Sequence, residues 1–145
     1  MLENGAIKTF TVASGAITLP SVVTGDVVVG LQYTGRWKST KLAYASQLGS
    51  ALSQRKKVGP VYPILYKTHI LGPRFGPDYT RADPIPRVID GVTQAEDTLL
   101  DTYDSDSFAI PGRWSPDARL CMTFTAPFPT TVLGIGFVIG TNDKL

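Results

Sequence analysis

Strict alternation of side-chain type is the feature that most constrains this chain. In the run TTVLGIGFVIG, Leu133, Ile135, Phe137 and Ile139 fall on one side, while Val132, Gly134, Gly136 and Val138 fall on the other. A period of two is the repeat of a β-strand, whose successive side chains leave opposite faces. Bulky residues on one face and glycines on the other predict a strand packed inward that lets another backbone or sheet approach its smooth side. RLCMTFT alternates in the same way, with Leu120, Met122 and Phe124 opposed to Arg119, Cys121, Thr123 and Thr125. In VYPILYKTHIL, the residues Tyr62, Ile64, Tyr66 and Ile70 share one face, with Lys67 and His69 opposite. Pro63 has no N–H for a ladder, which assigns it to a strand edge, start or bulge. IKTFTV, DVVVGLQY and SFAIPG complete the strand candidates.

The chain of 145 residues fits a single domain, large enough to bury a core without disulfides or metal. Its eleven prolines and fourteen glycines fall mostly between the alternating runs, as turn punctuation does in β-proteins. The reading is an all-β fold, an antiparallel β-sandwich or β-barrel-like domain with long loops and at most one short helix. That helix would lie in STKLAYASQLGSALSQ, where Leu42, Ala45, Leu48 and Leu52 form a rough stripe, Ser39 or Thr40 could cap and Gly49 weakens the middle. The alternative there is an irregular extended arm. GPRFGPDYTRADPIPRVIDG is dense in proline and glycine and reads as a long excursion of the kind that serves binding or assembly.

Charged residues make up 18%, below the usual quarter, so much of the surface is neutral or apolar. The net charge of +2 is too small to argue for nucleic-acid binding by itself. Cys121, the single cysteine, permits no internal disulfide and sits where a buried, inert thiol is expected. MLENGAIKTF lacks the pattern of a signal peptide, and no apolar run approaches the roughly 20 residues of a membrane span. The expectation is a soluble chain made in a reducing compartment.

Motifs of catalysis are weak throughout. With His69 the single histidine, two-histidine metal sites are excluded, and its place on the polar face of a strand predicts an ordinary surface or interface residue. Gly134, Gly136 and Gly140 have the wrong spacing for a dinucleotide fingerprint, and no helix can follow them. Asp97, Asp101, Asp104 and Asp106 cluster in DTLLDTYDSDSF, but Phe108 falls where a calcium loop needs its next oxygen, so the stretch reads as a solvated loop. No local signature marks a facing carboxylate pair. The expectation is a protein that is not an enzyme, with no catalytic residues, cofactor or metal.

The basic residues are more organised. Arg36, Lys38 and Lys41 group in GRWKSTK, with Tyr33 and Trp37 interleaved, and Arg55, Lys56 and Lys57 group in SQRKKVG. They are candidates for an interface or a DNA path, since interleaved aromatics support base stacking on a single strand. Solvated strand ends with an aromatic anchor in the core are the plainer alternative, and pairing with acidic loops such as 97–106 across a subunit boundary is another. Trp37, Tyr79 and Trp114 are candidate ligand-contact aromatics for a carbohydrate- or receptor-binding module.

The order VVVGLQYTGRWKSTKL, SQRKKVGPVYPILYKTHILGPRFG, APFPTTVLGIGFVIG resembles the C-terminal part of the nozzle, or tail tubular (stabilisation), proteins of short-tailed bacteriophages. Gly30, Leu31, Tyr33 and Thr34 match that family's first element, Arg55, Lys56, Lys57 and Val58 its basic second, and Pro127, Pro129, Thr131, Val132 and Leu133 its third. Gln32 stands where a proline is common. The match covers residues 25–140, and members of the family are much longer chains. The chain is accordingly either a C-terminal fragment of such a protein or a small stand-alone relative. The resemblance implies a structural virion protein, made in the host cytoplasm. It would form a ring, commonly hexameric, beneath portal and adaptor, continuing the DNA ejection conduit and carrying fibres or a spike.

Overall fold

A computed structural model describes residues 2–3, 6–7, 9–22, 24, 27, 29–42, 45–46, 49–50, 52–104, 106–125 and 127–141. The strands in chain order are β1 (Leu2–Glu3), β2 (Ala6–Ile7), β3 (Thr34–Lys38), β4 (Ala45–Ser46), β5 (Gly49–Ser50), β6 (Lys56–His69), β7 (Pro73–Gly76), β8 (Asp83–Pro84), β9 (Val88–Ile89), β10 (Val92–Thr93), β11 (Leu99–Tyr103), β12 (Cys121–Thr125) and β13 (Thr131–Thr141). All pairings are antiparallel, and the described residues contain no helix. The fold is all-β, as the alternation predicts. Where a helix was weighed, β4 pairs with β5, and Leu48 of the expected stripe lies outside the described residues.

Two larger sheets, β3-β12-β7-β8 and β11-β6-β13, share one core. Val58, Val61 and Leu65 of β6 meet Phe75 of β7 and Met122 of β12, with Ile85, Leu100 and Leu120 filling in around them. Burying each such side chain contributes about 1.5–3 kcal/mol, which makes this cluster the main source of stability. β12 is covered on both faces: Cys121 and Thr123 are buried along with Met122. Burial holds the Cys121 thiol pKa up, consistent with an inert thiol. The excursion expected at 72–91 carries strands: Pro73 is buried, β7 pairs with β12 and β8, and β9 pairs with β10.

The structure inverts the expected faces of β6. Val61, Pro63 and Leu65 are buried, while Tyr62, Ile64 and Tyr66 stand in solvent. Both sets are apolar, so alternation alone could not say which one faces the core. Pro63 is tolerated in mid-strand for a specific reason. Val61 exchanges both backbone hydrogen bonds with Phe108, and Leu65 faces Tyr103. Two residues on from Val61, Pro63 turns its missing donor to the same side, where, among the described residues, no ladder pairing is made between Tyr103 and Phe108.

Alternation fails again at Lys67, whose φ of 44° brings Thr68, His69 and Ile70 all into the interior. His69 is therefore not the surface residue that the sequence predicts. Its ring stacks on Phe128 with centroids 4.2 Å apart, and its Nδ1 accepts the N–H of Leu71 at 3.2 Å. Burial lowers its pKa from 6.5, opposed by the charge of Asp97. The unfolded chain thus binds the proton more readily, and the stability from neutral His69 is fully present above 6.5 and is lost as pH falls below it. A fall in urea midpoint on acidification through this window, flattened in His69→Gln, is the expected result. An unchanged pH profile in the variant would show that other groups control it.

β13 carries the third correction. Its register against β6 shifts between Val132 and Gly134 and again between Phe137 and Ile139. The first bulge turns Leu133 outward, 66% exposed, and lets Val132 join Ile135, Phe137 and Ile139 against the core. Of the other strand candidates, DVVVGLQY belongs to no strand among its described residues, and SFAIPG contributes only the bridge from Phe108 to Val61.

Candidate assembly interface

The two basic groups approach each other at Lys41 and Lys56, but their members differ in exposure. Arg36 and Lys38 leave the same exposed face of β3, where the Arg36 guanidinium lies 5.3 Å from the centre of the Tyr79 ring. Lys41 is half-buried, and Arg55 and Lys57 are exposed. Lys56 corrects the expectation of an interface or DNA-path cation: it is fully buried. β6 begins at Lys56, and alternation directs it inward with Val58. Its Nζ donates to the carbonyls of Leu52 and Gln54 at 3.1 and 3.0 Å. Burial and then repulsion from Lys41 lower its pKa, while Asp117 acts in the opposite sense. Lys56→Ala leaves those carbonyls without this donor and is expected to cost about 1–3 kcal/mol in a urea titration. Lys57→Ala should stay within about 0.5 kcal/mol. Equal effects would mean that burial does not separate the two lysines.

The candidate aromatics occupy three different settings. Tyr79 lies against Arg36, Trp37 turns to the opposite face of β3, and Trp114 lines a polar hollow with Arg113, Arg119 and Asp117. The acidic stretch also differs from the expected solvated loop, because Leu99–Tyr103 is strand β11, from which Asp101 pairs with Lys67 across the sheet surface.

What the fold gathers instead is apolar and uncharged. Tyr62, Ile64 and Tyr66 form an exposed row on β6, each between 44% and 45% exposed. Gly136 and Gly134 lie opposite Tyr62 and Ile64 on β13. A Cβ on either glycine would sit 3.4 Å from Tyr62 or 3.6 Å from Ile64, so these side chains spread over the glycines. The expected smooth face is thus covered by β6's own residues. Sequence reading missed this row because it assigned the row to the core. The glycines opposite it were the signal that these side chains have room.

β13 also forms an edge. Among the described residues it pairs only with β6, along 11 residues that include no charge and no proline. Lysines, prolines and short length are the usual means of blunting such an edge, and β13 has none of them. Beneath it, where β3 and β13 end their sheets on the same side, an apolar groove of about 420 Å³ opens between Trp37, Met122, Phe124 and Ile135, Phe137, Leu133. A second groove of about 800 Å³ runs alongside, lined by Gly30, Leu31 and Tyr33 on one wall and Pro127, Pro129 and Val132 on the other.

No protein-family model matches the chain, and no curated protein matches it significantly.

Proposed function

We propose that the protein is a structural β-domain of a short-tailed phage, a part of the nozzle ring beneath portal and adaptor that acts by assembly and not by catalysis. The observation that carries this reading is a convergence. Gly30, Leu31 and Tyr33 of the first resembling element and Pro127, Pro129 and Val132 of the third come from opposite ends of the chain, yet they line one groove. The second element, Arg55 to Val58, opens β6, whose other end pairs with Thr131 and Val132 of the third. The matched residues of the first and third elements therefore form one surface, whereas Lys57 and Val58 of the second pair at the far end of β13, with Gly140 and Ile139. That surface is uncharged, apolar and open at an edge, which suits contact with other protein better than contact with phosphate. In this reading the ring encloses the DNA ejection path and carries fibres or a spike outside.

Mass spectrometry and imaging of purified, DNA-filled particles test the proposal. The expected result is the chain in stoichiometric amount, placed in a ring below the portal. Particles that lack it overturn the reading. A further arm is DNA binding: affinity that falls steeply with salt and is lost in Arg55→Ala/Lys57→Ala would move the assignment to a nucleic-acid contact.

A further inference from the structure

We infer that copies of this chain join by strand exchange, the segment 29–33 of one copy adding to the outer edge of β13, along 131–139, in a second copy. The inference supplies a joint for the assembly proposed above and rests on that reading only for the existence of an assembly.

The acceptor is incomplete in two respects at once. Among the described residues β13 has a strand partner on one side only along 131–139, and the groove beside it leaves Trp37 41% exposed. A strand laid along β13 would meet both needs, because its backbone would continue the ladder and its alternate side chains would project over the groove towards Trp37 and Phe124. The three-stranded sheet β11-β6-β13 would become four-stranded, matching the sheet it packs against.

The donor has the complementary defect. Residues 29–33 close the strand-like run DVVVGLQY, yet among the described residues they join no strand. Val29, Leu31 and Tyr33, spaced two apart, are 58%, 90% and 67% exposed. A strand with this spacing presents them on a single face. The segment continues directly into β3, whose Thr34 already pairs with Thr125, so its near end is anchored on the sheet edge. Donor and acceptor are both uncharged, and no like charges oppose their contact. Every copy carries one donor and one acceptor, so each copy can both give and receive a strand.

Two lysine substitutions test this at exposed positions, so that the fold is unaffected: Leu31→Lys disables the donor and Leu133→Lys the acceptor. The wild-type chain is expected to associate, as read by light scattering and native mass spectrometry. Each variant alone should associate at least about tenfold more weakly, the worth of one buried apolar anchor. Mixing the two variants should restore one joint, the intact arm of Leu133→Lys entering the intact edge of Leu31→Lys, and give a one-to-one dimer that grows no further. A wild-type monomer at the highest soluble concentration overturns the proposal. So does Leu31→Lys that associates normally, the result expected if β13 pairs with β13 of a second copy. A mixture with no dimer overturns it as well. The chain's absence from phage particles would remove the tail role while leaving the joint untouched, so the two failures are distinguishable.

Discussion

Phe75→Ala is expected to cost about 3–5 kcal/mol, a large part of the roughly 5–15 kcal/mol that holds a domain folded. Phe75 is fully buried on β7, and its ring meets that of Phe108 edge-on, with centroids 5.5 Å apart and planes at 69°. Phe108 bridges to Val61 of β6, so this contact ties one sheet to the other. Removing the ring leaves a cavity between two sheets whose backbones are each fixed by their own ladders, and neither can collapse into it freely. A loss of roughly 10 °C or more in Tm is the corresponding thermal result. Val22→Ala, at a side chain 91% exposed, serves as the comparison and should change stability by less than about 0.5 kcal/mol. A Phe75→Ala protein as stable as this comparison would mean that the two sheets do not share the core described.

How much of this was legible in the sequence depends on what alternation encodes. It encodes the presence of β6, β12 and β13, because few patterns other than a strand repeat every two residues. It does not encode which face is inward where both faces are apolar, and Tyr62, Ile64 and Tyr66 were assigned to the core for that reason. It also assumes an unbroken phase. Lys67 at positive φ and the bulge at Leu133 each shift that phase, burying His69 and exposing Leu133. The turn at Lys67 has no glycine or proline to announce it, and the bulge at Leu133 has only Gly134 beside it. Lys56 shows the same limit for charge: RKK reads as a basic cluster, but a strand starting at Lys56 must send alternate residues inward. The grooves were beyond reading, since each of them is made by residues distant in sequence. DVVVGLQY has strand composition, yet among its described residues none joins a strand, which suits it to donate to a second copy.

Gly76→Ala is the other substitution with a large expected effect, about 3 kcal/mol or more. An added Cβ at Gly76 would lie 1.9 Å from the carbonyl oxygen of Arg81, so backbone has to move. The surroundings resist that movement on both sides. Gly76 pairs with Cys121 of the fully covered strand β12, which fixes β7 from one edge. On the other, Asp78 holds the 77–82 turn: its carboxylate accepts the N–H groups of Thr80 and Arg81 at 3.0 and 2.9 Å and pairs with the Arg81 guanidinium, which keeps its pKa well below the usual range. Hydrogen exchange should show β7 and β8 opening before the rest of the sheet, together with a lowered urea midpoint. Gly134→Ala provides the contrast, because its Cβ would meet Ile64 at 3.6 Å, an ordinary contact, and should change stability by no more than about 1 kcal/mol. The two glycines therefore have different duties. Gly76 is required by the fold, whereas Gly134 shapes the exposed face beside the free edge. A Gly134→Ala protein that unfolds as readily as Gly76→Ala would contradict that division and would place the glycine face of β13 among the determinants of folding instead of assembly.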